Sequence, residues 1–214
     1  MVLEFCNVTR SYGNNKGIKN NSWKIERKGI VGFVGHNGCG KTTTLKIIAG
    51  LQIVDSGEVK YLKKRINSYS RKIIGLICEH RNIYQDIKVY QQLKLICELQ
   101  KVPKKEIESG IDRWLLVFGL LEYKYKKINE LSKGNQQLMQ IICGLIHEPE
   151  IILLDEPFNG LDSTRINKLV QILKELSSNR IIVVAFHQLE LKESLCSRII
   201  QLENGMIVND EDVV

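Results

Sequence analysis

GIVGFVGHNGCGKTTTLKIIAG, residues 29 to 50, decides how this chain folds. Its first part is an apolar run of the kind found in strands buried on both faces. Its last part reads as a helix. Between them Gly35 to Thr42, GHNGCGKT, matches G-x-x-x-x-G-K-[ST], a turn whose successive backbone N–H groups wrap phosphates at a helix N-terminus. Gly35, Gly38 and Gly40 allow the wrap, Lys41 brings a point charge to the β and γ phosphates, and the Thr42 hydroxyl is placed to hold Mg²⁺. Asn37, Cys39 and Thr43 complete the candidate nucleotide contacts. A Gly-rich turn without a ligand is the bland alternative, and the flanking strand and helix argue against it.

The second half of such a site is an acid at the end of an apolar strand, and IILLDE supplies it. Asp155 can hold Mg²⁺ through water, while Glu156 would sit beside the γ-phosphate and polarise an attacking water. His187 follows another apolar strand, RIIVVAF. A lone histidine is more often a packing residue. Here its strand is expected to run parallel to IILLD, so His187 opens on the same sheet edge as the phosphates.

Outward from these motifs the chain alternates between strands and helices. VLEFCNVT, NSWKIE, GEVKYL and KIIGLIC read as strands, and KVYQQLKLICELQ and EIESGIDRWLLVFGLL carry apolar residues at helical spacing. RIIQLE and GMIV form a final pair around Asn204-Gly205, a hairpin signal. The expected class is α/β, with a mostly parallel sheet covered on both faces. An antiparallel β portion near the start and a helical insert at about 82–134 look like additions to one domain spanning 1–214.

The 214 residues, 43% hydrophobic and 26% charged, suit one globular domain with an insert rather than a disordered chain. A net charge of +7 is spread along the chain and is densest in YLKKR and SYSRK, residues 61 to 72. That reads first as a solvated face, ahead of nucleic acid or an anionic membrane surface. Six cysteines without C-x-x-C spacing argue against a zinc site or disulfide framework and for a reducing cytosol. The start lacks signal-peptide character, and no window approaches the roughly 18 apolar residues a membrane span needs.

With GHNGCGKTT, LSKGNQQ, IILLDEP, FNGLD and AFH in this order, the chain resembles the ATP-binding subunit of ABC transporters. The resemblance covers essentially the whole chain and implies a P-loop ATPase core with a β subdomain and a helical subdomain. It also implies roles: Tyr12 stacking on adenine, Lys41 and Thr42 as Walker A residues, and Asp155 and Glu156 as the Walker B aspartate and catalytic glutamate. Asn159 to Asp162 would be the D-loop, and His187 the switch histidine on the γ-phosphate. Ser132, Gly134 and Asn135 in LSKGN match the signature that completes the ATP site of a second protomer, here expected to be an identical chain. Ser132 and Gly134 would offer a hydroxyl, N–H groups and a positive helix end to that phosphate.

Three departures stand out. Glu79 takes the place of the usual Q-loop glutamine, a ligand for Mg²⁺ that adds negative charge. Leu138 replaces a usually basic residue. Cys39 replaces a small Ser or Ala and, at a helix N-terminus beside Lys41, is expected to be a reactive thiol whose alkylation blocks ATPase activity unless ATP protects it. The expected protein is an ATP-hydrolysing subunit, peripheral on the cytoplasmic face of the membrane, powering a separate permease and not inserted itself. The permease groove is expected near RNIYQDIKVYQQL. That run and the short C-terminus favour export of a drug, peptide or bacteriocin over import. The rivals are a soluble ABC-type ATPase acting on ribosomes or nucleic acid, with no nucleic-acid partner expected, and a weakly hydrolysing regulatory module.

Overall fold

A computed structural model describes residues 2–13, 16–66, 72–79, 83–187 and 192–213. The basic run at 68–71 and the start of the expected docking run, residues 81 and 82, lie outside them. Three strands come first: β1 (Leu3–Ser11), β2 (Gly17–Ile25) and β3 (Gly29–Val34). Helix α1 (Lys41–Ile48) follows the phosphate turn, and then β4 (Ser56–Tyr61), β5 (Lys64–Arg65) and β6 (Ile74–Ile77). Helices α2 (Val89–Leu99), α3 (Lys104–Phe118) and α4 (Lys133–Leu145) lead to β7 (Ile151–Asp155). The chain closes with α5 (Ser163–Ser177), β8 (Ile181–Phe186), α6 (Lys192–Leu195), β9 (Arg198–Glu203) and β10 (Met206–Asp212).

The strands form two sheets. The larger runs β10-β9-β3-β8-β7-β6, parallel apart from β10, and the smaller, β2-β1-β4-β5, is antiparallel. This is the α/β arrangement, a parallel core with an antiparallel addition, that the strand pattern predicts.

The near-continuous apolar strands are explained by where alternate residues go. In β7, Ile152 and Leu154 enter a core shared with α2 to α5, whereas Ile151 and Leu153 face α1 and the smaller sheet. Both sides of the large sheet are therefore dry. The two sheets meet through Phe5, Trp23 and Phe33: Phe5 stacks on Trp23 at 4.9 Å, and Trp23 meets Phe33 edge-on at 5.5 Å. Leu138, which departs from a usually basic position of the family, is 3% exposed and belongs to the α4 side of this core. Burial rules out a charge there without a partner.

The Asn204-Gly205 hairpin forms as predicted, with both residues at positive φ. It also buttresses the phosphate turn, because Gly205 N–H donates to Cys39 O at 3.0 Å and Gly205 O accepts from Lys19 N–H at 2.7 Å. β5 and the helix Ser163–Ser177 are elements that the strand-by-strand reading left unassigned. The helix has an ordinary signature: Asp162 caps it, and Ile166, Leu169, Val170, Ile172 and Leu173 recur at helical spacing.

Candidate active site

The parallel register brings the carboxyl ends of β3, β7 and β8 to one edge, the usual place for a ligand in such sheets. Asp155 lies opposite Ala185 in the register, and Glu156 N–H donates to Ala185 O at 2.8 Å. His187, one residue past β8, therefore lands beside Glu156. A cleft of about 480 Å³ opens there. It gathers Tyr12, Asn37, Gly38, Gly40, Lys41, Thr42, Thr43, Glu79, Asp155, Glu156 and His187, drawn from positions 12 to 187 of the chain. Lys16, Gly17 and Asn159 also line it. Asn159 was expected only at a dimer contact, and no motif pointed to Lys16 or Gly17.

Gly40 precedes α1 with φ 114°, so the first N–H groups of the helix face the cleft unpaired by their own helix. Lys41 Nζ donates to Gly35 O at 2.6 Å and His36 O at 3.3 Å, and stands 4.0 Å from Glu156 Oε1. It is 6% exposed, so these partners offset the cost of burying its charge. His187 Nδ1 lies 2.9 Å from Glu156 Oε2. With the proton on Nδ1, the imidazole donates to the carboxylate and leaves Nε2 free to accept or be protonated. Glu156 itself has φ 51°, a conformation that costs a non-glycine residue on the order of 1 kcal/mol or more.

Burial pushes the Asp155 carboxyl above the usual range, and the charges of Glu79 and Glu156 push it further. The Thr42 hydroxyl and Lys41 oppose that rise. Asp155 Oδ1 is buried without a hydrogen-bond partner. An orphaned carboxylate oxygen beside a threonine hydroxyl fits a divalent cation with oxygen ligands. Tyr12 is 47% exposed at the mouth of the cleft, with the Arg10 guanidinium 5.0 Å from its ring centre.

Two of the phosphate-loop residues expected to contact the nucleotide do not line the cleft. Gly35 lies beneath it: a Cβ there would stand 2.2 Å from Leu202 O and 2.7 Å from Cys39 Sγ. Cys39 is fully buried and packs into the core beneath the turn. This corrects the expectation of a reactive thiol, because the Cys39 side chain turns into the core, where Gly35 leaves room for its sulfur. Native alkylation followed by peptide mass spectrometry should modify the half-buried Cys6 well before Cys39, with no effect of ATP on the order. Faster labelling of Cys39 would show that the turn opens.

Ser132, Gly134 and Asn135 sit at the start of α4, away from this cleft. Ser132 is exposed and caps the helix, its Oγ accepting from Asn135 N–H at 3.2 Å. Asn135 is 7% exposed, and its Oδ1 accepts from Arg165 Nη2 at 3.0 Å.

A phosphate-wrapping turn, a buried lysine and paired acids at one sheet edge define a P-loop nucleotide hydrolase. The chain belongs to the ABC transporter family, whose model matches residues 18–159. It is 42% identical to the ABC transporter ATP-binding protein MJ1023 of Methanocaldococcus jannaschii, over 95% of this chain and 74% of that protein. It is 31% identical to the methionine import ATP-binding protein MetN of Clostridium acetobutylicum, over 99% of this chain and 69% of that one. Among solved structures it is similar to the dimeric, post-hydrolysis ATP-binding cassette MJ0796 bound to ADP and Pi. That match has a TM-score of 0.90 at 26% identity and covers 99% of both chains. The chain is accordingly an ABC transporter ATP-binding domain that binds and hydrolyses ATP.

Proposed function

We propose that two copies of this chain pair head to tail, each closing its Ser132–Asn135 end over ATP held by the other, and so drive a separate membrane permease. One observation carries the reading: the signature residues lie outside this chain's own cleft, on a capped and exposed helix start suited to a phosphate arriving from elsewhere. The MJ0796 cassette is itself dimeric. Homodimer formation and the roles below are our reading for this chain.

Tyr12 stacks on the base, and the turn from Gly35 to Thr43 wraps the phosphates. Lys41 exchanges its loop carbonyls for phosphate oxygens. Glu156 accepts the proton of the attacking water, while His187 holds the carboxylate from one side and reaches toward the γ-phosphate with its other nitrogen. Thr42, Asp155 and Glu79 would hold Mg²⁺, which when bound offsets the negative charge gathered on the phosphates. Hydrolysis removes the charge shared by the two protomers, so the pair opens. Glu79 makes its own contribution, because it raises the proton affinity of Asp155 and so makes the site depend more on a cation.

Among the described residues no helix is long and apolar enough to cross a membrane. The permease would dock in a cleft of about 310 Å³ between the end of α1, the edge strand β6, α2 and α4. Leu51, Leu76, Ile96, Cys143 and His147 line it. On this reading the chain sits peripherally on the cytoplasmic face. We take the insert at about 82–134 as the helical subdomain that would move with the permease. Leu51 is 52% exposed, so Leu51→Glu should fold normally and keep its isolated ATPase rate. Co-purification of the permease in detergent should fall by about tenfold or more, on the scale of one buried apolar contact. Undiminished co-purification would move the docking site elsewhere.

Export is the direction we propose, from the resemblance of residues 81–93 to the corresponding run of drug and bacteriocin exporters. The MetN relative is named an importer. ATP-driven uptake into inside-out vesicles supports export, and uptake into right-side-out vesicles overturns it. Neither the site nor the relatives favour action on ribosomes or nucleic acid.

A further inference from the structure

Two side chains hold the start of α4 to the segment after β7: Gln137 Nε2 donates to Pro157 O at 3.3 Å, and the other, Arg165, is one that no sequence motif singles out. Arg165, in the first turn of α5, sends Nη2 to Asn135 Oδ1 at 3.0 Å and Nη1 to the Asp162 carboxylate. Its stem lies over Gly134: a Cβ at Gly134 would meet Arg165 Cδ at 3.4 Å, Arg165 Nε at 3.5 Å and Gly160 O at 3.5 Å. These are ordinary van der Waals distances, so the contact would tolerate an alanine at 134 and does not itself demand the glycine. The guanidinium thus joins Asp162 to Asn135, reaching a residue 30 positions from its own in the sequence.

Capping of α5 does not account for this side chain. Asp162 caps the helix through the backbone, its Oδ1 accepting from Arg165 N–H at 2.9 Å, and any residue at 165 would supply that N–H. Nor does the local field favour the position. A cation at the positive end of α4 is disfavoured by roughly 0.3–1 kcal/mol, and α4 has no acidic residue in its first turn. The Asp162 carboxylate offsets that charge. What the arrangement achieves is geometric, because a planar fork with two fixed acceptors sets direction as well as distance.

Asn135 is buried, and its side-chain oxygen is already bonded within its own chain. Residue 135 is therefore occupied in aligning the helix start. Ser132 and Lys133 on the same turn are exposed. We propose that Arg165 is a positioning residue: it clamps the start of α4 to the 159–162 segment so that Ser132 and the neighbouring N–H groups meet the partner protomer's ATP in register. The inference rests on the head-to-tail reading above. On that reading Asn159 lines this chain's own nucleotide cleft, while the clamp three to six residues later carries its alignment to the end of α4. The two composite sites would then be mechanically joined through Arg165.

A clamp acting this way has a signature that a general loss of structure lacks, since it harms the site opposite. Mixed dimers, with the two chains carrying different tags and purified through both, can be built so that Glu156→Gln silences one site. In the first arrangement Arg165→Ala is on the same chain as Glu156→Gln, so the surviving site uses the altered α4. In the second it is on the other chain, so the surviving site uses an intact α4. ATP turnover should fall by about tenfold in the first arrangement, as expected for losing a hydrogen bond to a charged group, and by much less in the second. Ser132→Ala placed the same two ways is the control and should show the same bias. If Ser132→Ala is biased and Arg165→Ala is not, the clamp is wrong and the pairing stands. If neither is biased, the head-to-tail reading falls and takes the clamp with it. Melting temperatures of the Arg165→Ala chain should stay close to the parent, since the side chain is 36% exposed.

Discussion

Glu156→Gln should lower ATP turnover by at least roughly 10²-fold, the low end of what a positioned general base contributes, while ATP still binds. Three features make this substitution clean. The amide keeps the size of the side chain, so the 8% exposed position stays filled. The backbone keeps φ 51°, so whatever strain the residue carries is common to both proteins. The amide oxygen can still accept from His187 Nδ1, now 2.9 Å from Glu156 Oε2. What is lost is basicity: a carboxamide cannot take a proton from water. Lys41, 4.0 Å from Glu156 Oε1, also loses a negative neighbour, which should leave it freer to hold phosphate. Binding should therefore be unchanged or tighter, and the closed pair should accumulate with ATP. Steady-state turnover and light scattering with ATP measure the two effects separately. Turnover within threefold of the parent would remove Glu156 from the chemistry and leave the site a nucleotide-binding module. His187→Ala should have a smaller effect than Glu156→Gln, because histidine acts on the water through the carboxylate.

The parts of this site that were legible in the sequence are those fixed by local backbone demands. A turn that must wrap phosphates writes its glycines and lysine at set intervals. A strand buried on both faces that ends in an acid, IILLDE, writes its own register. Once β7 and β8 are taken as parallel neighbours, the meeting of Glu156 and His187 follows from counting residues. Other contacts have no local signature. Cys39 looks like part of the phosphate surface, yet it turns inward because Gly35 leaves room for its sulfur above Leu202. Nothing within the octapeptide distinguishes its inward and outward positions. Arg165 and Asn135 sit 30 positions apart, in two segments whose spacings carry no code for each other. The departure at Leu138 likewise became intelligible only with the core around it, where a leucine fills a dry site.

Gly75→Ala should be strongly disruptive, because its methyl would be driven into backbone on the neighbouring helix. A Cβ at Gly75 would stand 2.1 Å from Gly144 O and 2.8 Å from Pro149 Cγ. The first is backbone of α4 and the second is the ring of a residue that leads into β7, so neither can rotate away. Strand β6 pairs on one side only, with β7, and α4 lies across its face. The methyl must therefore part strand from helix. Overpacking of this kind costs about 3 kcal/mol, and in a chain of this size that lowers Tm by roughly 6–12 °C. Gly144→Ala is the control on the opposite side of the same contact. Its Cβ would meet Ile77 Cδ1 at 2.5 Å and Cγ1 at 2.7 Å, atoms of a side chain that can adjust. Alanine also gains about 1 kcal/mol over glycine inside a helix, so Gly144→Ala should shift Tm much less than Gly75→Ala. The functional consequence follows from what β6 carries. It leads directly to Cys78, whose carbonyl accepts from Gln140 Nε2 of α4 at 2.6 Å, and to Glu79 at the rim of the nucleotide cleft. Parting β6 from α4 should weaken the proposed docking groove and the Glu79 side of the site together, so, if the permease docks there, Gly75→Ala should lose permease co-purification as well as stability. Thermal melts of both variants decide it. Equal, small shifts would mean that α4 and β6 slide freely past each other and that this glycine pair sets neither site.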